Sequence, residues 1–167
     1  MPTGRSTQLT KQIGEYLVAC ELARRGFLVA TFSGNVPDFD LIATDLKGSS
    51  CPIQVKTIRG GWSWQFQIDK FVDISSHERK QIIGDKKPLP MPQLVCVFVL
   101  AAERYGEDQF FVLEWSKVQD ILIADYKHFL DSHGGERPRN PDSRHCAIGE
   151  RDLRDYKDNW SMITSRL

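Results

Sequence analysis

With 167 residues, 41% of them hydrophobic and 26% charged, the chain suits one globular domain spanning residues 1–167, large enough to bury a core without staples. Its net charge is zero, which excludes a uniformly basic nucleic-acid binder, yet 12 Lys and Arg stand against 9 Asp and Glu in residues 1–90 and 10 against 13 in residues 91–167, which leaves room for one basic face. Met1 to Gln12 is polar and no apolar run approaches the ~20 residues of a membrane span, so a cytoplasmic protein with no membrane partner is expected.

From Gln8 to Arg25 the apolar positions Leu9, Ile13, Tyr16, Leu17 and Cys20 recur at helical spacing, and Gly26 supplies the stop. Phe27 to Phe32 reads as a first strand, followed by a loop over residues 33–37. Phe39–Ala43 and Pro52–Lys56 form two more strands around the polar turn Asp45–Ser50, a hairpin pattern. After Gly60 and Gly61, Trp62 to Asp69 alternates apolar with polar residues and predicts a half-buried strand.

Ser75 or Ser76 is suited to cap a short helix over His77–Ile83, which Gly84 ends; Pro88, Pro90 and Pro92 then forbid regular structure. Leu94–Ala101 is a continuous apolar run of the kind found in buried central strands. Gln109–Trp115 predicts a further strand, Lys117–Ser132 a helix, residues 133–144 a loop, and the stretch from Glu150 a last helix with Leu153, Tyr156, Trp160 and Ile163 inward. The expected architecture is an α/β core over about residues 8–115, a mixed central sheet with the first helix on one side and later helices on the other. A helical C-terminal extension covers about residues 116–167.

Cys20, Cys51, Cys96 and Cys146 are spaced too widely for a zinc site and read as free buried thiols of a reducing compartment. His77, His128, His133 and His145 show no ligand spacing.

The chemistry concentrates between Asn35 and Thr57. If the two hairpin strands pair, Asp40, Gln54 and Lys56 converge at one end of a sheet, the last two on one face. Phosphodiester hydrolysis needs charge neutralisation and a positioned water. Asp40 offers a carboxylate, Gln54 a side-chain carbonyl, Val55 a backbone carbonyl and Lys56 an ammonium, a set suited to Mg²⁺ with Mn²⁺ as substitute. Asp38 is the rival acid; Asp40 is preferred because the apolar run Leu41-Ile42-Ala43 follows it directly. A structural ion pair between Asp40 and Lys56 is the simpler alternative. Arg59, Trp62 and Trp64 suit phosphate contact and base stacking, or for the tryptophans the core.

This arrangement resembles the PD-(D/E)xK nuclease superfamily, in which an Asp ends one strand and a Glu-x-Lys lies on the next. Matching it are Asp40 in Pro37-Asp38-Phe39-Asp40-Leu41-Ile42-Ala43 and the triplet Gln54-Val55-Lys56. Gly14-Glu15 on the first helix, with Gly26-Phe27 eleven residues on, is similar in layout to the archaeal Holliday junction resolvases; a Gln in the triplet is a feature of the Mrr-like restriction branch. The resemblance covers residues 11–58. It implies a restriction endonuclease-like α/β/α fold and a Mg²⁺-dependent DNA endonuclease acting on duplex or branched DNA, often as a homodimer. By the same resemblance Asp40, Gln54, Val55 and Glu15 surround the metal, Lys56 attends the water, and Lys11, Ser33 and Arg59 meet DNA. Gln54 departs from the usual Glu and removes a negative charge from the metal site, so a binding module that has lost cleavage is the alternative.

Overall fold

The computed structural model of the chain describes residues 4–32 and 36–167. Its central sheet is built from β1 (Leu28–Thr31), β2 (Leu41–Thr44), β3 (Ser50–Arg59), β7 (Val95–Ala101) and β8 (Gln109–Glu114), adjacent in that order. β3 and β7 run parallel and the other neighbours antiparallel, so the sheet is mixed as expected. β7 is central and buried on both faces. Its Val95, Val97 and Val99 turn to one core, and Cys96 and Phe98 turn to the other, which is why its sequence is continuously apolar.

Helix α1 (Gly4–Arg24) covers the first face, but not with the stripe that its apolar spacing predicts. Gly14, Val18 and Leu22 are buried, whereas Leu9, Ile13, Tyr16 and Cys20 are exposed. The reason is a close approach: a Cβ on Gly14 would stand 1.7 Å from Thr57 Oγ1 on β3. Only glycine lets the helix axis come this near the strand, and that contact sets the helix's rotation. Gly26, at φ 87°, ends it.

The second face is covered by α2 (Trp115–Ser132), by an antiparallel ribbon of β4 (Ser63–Gln67) with β9 (His145–Gly149), and by the hairpin of β5 (Val72–His77) and β6 (Lys80–Lys86). That hairpin occupies the place of the expected His77–Ile83 helix. Ile74 pairs with Ile83 and Ser76 with Gln81, and Glu78 takes φ 56° at the turn. Burial at period two against the core decides for strand here, in keeping with the β-branched residues of the segment. Buried Gln81 accepts from the Tyr126 hydroxyl at 2.6 Å and donates to Ser143 O at 3.1 Å, tying hairpin and α2 to the segment that leads into β9. β9 itself was not foreseen within the C-terminal extension.

Nor does one helix follow Glu150. Residues Glu150–Tyr156 form a 3-10 turn, and α3 is the short segment Ser161–Thr164. Leu153 packs into the α2-side core, whereas Trp160 and Ile163 pack with Val18 and Leu22 on the α1 side. A continuous helix presents one stripe to one face, so the chain breaks, with Asp158 at φ 51°, where it crosses the edge of β8. There Asp158 N donates to Phe110 O at 2.9 Å. The later helices thus lie on both faces rather than opposite α1 alone.

Among the described residues no helix is long and apolar enough to cross a membrane. The cysteines are free; Cys51, Cys96 and Cys146 are buried, while Cys20 is exposed, contrary to expectation. Burial pushes the Cys51 thiol up to about 11 and that of Cys146 up to about 12, which makes both poor nucleophiles at neutral pH.

Candidate functional site

The antiparallel register Leu41↔Ile53, carried one residue further, sets Asp40 opposite Gln54. Asp40 N donates to Ile53 O at 2.8 Å, extending the ladder past the end of β2. The Asp40 side chain folds back on the triplet: Oδ2 accepts from Val55 N at 2.8 Å and from Gln54 Nε2. Its other oxygen, Oδ1, lies 3.0 Å from Lys11 Nζ, and Lys11 is 3.5 Å from Glu15 Oε1. Asp40 is only 9% exposed and Lys11 55%. The position of α1 follows from Gly14, so the contact of Gly14 with Thr57 also delivers Lys11 and Glu15, its neighbours along the helix, to Asp40.

The electrostatics agree with this geometry. Burial raises the carboxyl pKa of Glu15, the charge of Asp40 raises it further, and Lys11 offsets the rise only in part. Burial on its own would lower Lys11, but the hydrogen bond to Asp40 and the charges of Asp40 and Glu15 outweigh it and hold the ammonium above its ordinary value.

Two clefts meet at the Asp40–Gln54 contact. One, of roughly 560 Å³, lies between the first half of α1 and the segment before β2, and Arg5, Gln8, Lys11, Glu15 and Asp40 line it. The other, of roughly 350 Å³, is lined by Asp38, Gln54, Lys56, Gln65, Gln67 and Lys70 among others. Ile53 and Val55 pack into the α1-side core, so Gln54 and Lys56 alternate to the opposite face as predicted. Lys56 Nζ lies 5.9 Å from the centroid of the Phe66 ring and makes no ion pair among the described residues. The anticipated alternative, a structural pair of Asp40 with Lys56, is not formed; the cation on Asp40 is Lys11.

The remaining expectations divide. Val55 contributes its N–H to Asp40. Gln54 donates to Asp40 in this pose and offers it an amide proton, where a metal would need an oxygen. Arg59 pairs with Glu103 at 2.9 Å at the far end of β3. Trp62 is 94% exposed, and Trp64 is core at 2%. Ser33 lies outside the described residues. Asp38 faces the second cleft with Gln54 and Lys56, because it precedes the strand, at φ 71°, and alternation does not govern it. Sequence reasoning missed Gln65, Gln67 and Lys70 in that cleft; the alternation of residues 62–69 already put the two glutamines on the polar face.

A magnesium ion is ordinarily held by one or two carboxylates, with water completing its shell. Asp40 Oδ1 and Glu15 Oε1 face a single cationic nitrogen, so this pair fits such an ion, with Lys11 now making the contacts a cation would make. No three His, Cys, Asp or Glu side chains gather into a fuller cage among the described residues.

The overall arrangement of elements is similar to a solved structure, the bacterial homing endonuclease I-Ssp6803I, with a TM-score of 0.52 over 96% of this chain and 94% of that one. The two chains share a mixed α/β fold. Sequence identity is 16%, so the likeness is one of architecture. No protein-family model matches the chain, and no curated protein matches it in sequence. In this fold the Asp40–Gln54 contact sits where the first helix, the hairpin and both clefts converge.

Proposed function

We propose that the protein is a magnesium-dependent DNA endonuclease, with manganese able to substitute, in the manner of the PD-(D/E)xK nucleases. The observation that carries the reading is Asp40: nearly buried, anchored through Oδ2 by the triplet, and turned through Oδ1 toward a cation that Glu15 shares. Likeness to a homing endonuclease supports endonuclease activity on this fold. DNA as the substrate rests on the family resemblance, as does action as a homodimer, for which the exposed Leu9, Ile13 and Tyr16 of α1 supply an apolar surface.

In this reading Asp40 and Glu15 hold the ion, which supplies charge neutralisation at the phosphate and at the attacking water. Gln54 and the Val55 N–H fix the Asp40 carboxylate in one orientation. Lys56, with no ion pair among the described residues and facing the second cleft, orients the water beside the scissile phosphate; Lys11, freed from the carboxylates, contacts the phosphate backbone. Water adds to phosphorus and the sugar oxygen leaves, so one P–O bond forms and one breaks.

A second reading has its own observation: Lys11 already neutralises the carboxylate pair and Gln54 brings no charge, as suits a module that binds without cutting. Plasmid nicking in Mg²⁺ and in Mn²⁺ separates the two. The nuclease reading expects nicking by the wild type and none by Asp40→Asn; a wild type that shifts DNA in a gel but nicks it in neither metal selects the binding module.

A further inference from the structure

The β4–β9 ribbon shows its two faces to different environments. Trp64, Phe66, Cys146 and Ile148 point into the core, so Gln65, Gln67, His145 and Ala147 point out. From this outward face Gln65 and Gln67 line the second cleft, and His145 lines another cavity, of roughly 470 Å³. The two are joined across the ribbon, since Gln65 Oε1 meets His145 Nε2 and Arg137 Nη1 donates to His145 O at 2.8 Å. A polar track therefore leads from Lys56, along the ribbon, to Arg137 and Arg139.

Its charge is one-sided. Among the described residues, Lys56 and Lys70 line the cleft at one end against the single acid Asp38, and the cavity at the other end has arginines and histidines in its lining with no acid. Acids near the two ends are Asp69 on the turn after β4, the exposed Asp142 between Asn140 and Ser143, and Glu136, which Arg79 engages at 3.4 Å. Between these basic ends the face carries neutral amides and a methyl. Phosphate attraction at both ends with hydrogen-bonding groups between them is the distribution that a groove of duplex DNA complements.

We infer that the outward face of the β4–β9 ribbon enters the major groove of duplex DNA and reads base edges, with Arg137 and Arg139 on the flanking phosphates. This rests on the proposed function and names how the substrate of that site is held. The major groove of B-DNA admits a two-stranded ribbon, and a glutamine amide matches the N6 and N7 edge of adenine while an alanine methyl packs on the thymine methyl. The deep, narrow major groove of duplex RNA admits neither. The ligand is accordingly DNA, with A·T pairs preferred beneath Gln65, Gln67 and Ala147.

The test is selection from randomised DNA duplexes in EDTA at physiological salt, with an RNA duplex of the winning sequence as competitor. Selection should enrich adjacent A·T pairs, the RNA should fail to compete, and Gln65→Ala with Gln67→Ala should lose roughly tenfold of the discrimination per contact. Ala147→Glu, with thermal unfolding unchanged, should weaken duplex binding at least about tenfold. Wild-type binding that Ala147→Glu leaves intact overturns the ribbon, whatever plasmid nicking shows. Ribbon-dependent binding without nicking in any metal instead sinks the nuclease reading and leaves the ribbon standing. A wild type that binds no duplex overturns the ribbon, and nicking in Mg²⁺ or Mn²⁺ then decides the nuclease reading by itself.

Discussion

Gly14 of α1 is pressed onto Thr57 of β3 so closely that a methyl on the glycine would lie 1.7 Å from the threonine hydroxyl oxygen. Alanine is the better helix former by about 1 kcal/mol, but forcing a methyl into filled space costs about 1–3 kcal/mol, with the helix displaced as well. Gly14→Ala should therefore lower stability and also weaken the approach of Lys11 and Glu15 to Asp40. The buried Thr57 Oγ1 has no hydrogen-bond partner among the described residues, so Thr57→Ala should cost little and should rescue part of the Gly14→Ala loss. Denaturant unfolding of the four proteins in a double-mutant cycle checks this; additive effects would show that the two residues are not coupled.

Glu15 offers a test by pH. Its carboxyl pKa is raised in the folded protein, by burial first and by Asp40 second. A group raised on folding contributes stability that is complete below its unfolded pKa, near 4.5, and is lost as pH rises through the folded value. Glu15→Gln removes that loss. The variant should match or fall below wild type at acid pH and become the more stable protein at pH 7. Unfolding curves at the two pH values decide it, and a stability difference that does not grow with pH would remove Glu15 from the neighbourhood of Asp40.

At Gln54, the amide proton now donated to Asp40 would be exchanged for a negative charge by Gln54→Glu. Without metal the two carboxylates repel, and the one with the raised pKa costs stability as pH rises. With Mn²⁺ the repulsion becomes attraction, so calorimetry should show tighter binding and the apo protein should melt lower. Lys11→Met should likewise tighten Mn²⁺ binding, because it removes the ammonium that now occupies the carboxylate pair. Unchanged affinity in both variants would place the ion elsewhere.

Asp40→Asn should cost only about 1–2 kcal/mol, since the Val55 N–H keeps an acceptor and the stranded Lys11 is half in water. Nicking should vanish. A loss well above this range would mean that Asp40 serves chiefly as a structural anchor.

The two tryptophans of Trp62-Ser63-Trp64 should behave as opposites. Trp64 packs edge-on against Phe98 and Phe111, with ring centroids 5.2 and 6.0 Å away, so Trp64→Ala should cost about 3–5 kcal/mol. Trp62 is solvated, and Trp62→Ala should leave stability within about 0.5 kcal/mol of wild type while weakening single-strand or duplex binding. Thermal unfolding and gel shift on both variants are sufficient.

By itself, the sequence determined what local periodicity can carry. It determined the helix before Gly26, the hairpin that sets Asp40 against the Gln54 triplet, the fully buried β7, the alternation that puts Gln54 and Lys56 on one face, and the split of Trp64 to Ile68 into buried and polar sides, though not the exposure of Trp62 just before them. Each of these depends on residues close in the chain or on a register that a short turn fixes. Tertiary structure decided whatever depends on a distant partner. The rotation of α1 answers to Thr57, some 40 residues away, and overrules the helix's own apolar stripe. The β5–β6 hairpin replaces a well-capped helix because Ile74, Gln81 and Ile83 find a core and Tyr126 to pack against. The cation on Asp40 is Lys11 rather than Lys56 because the helix, once seated by Gly14, brings its lysine to the carboxylate, whereas Lys56 shares a strand face with Gln54 and turns to the second cleft. Local patterning is a property of neighbours in sequence; the choice among several charged or apolar partners belongs to neighbours in space.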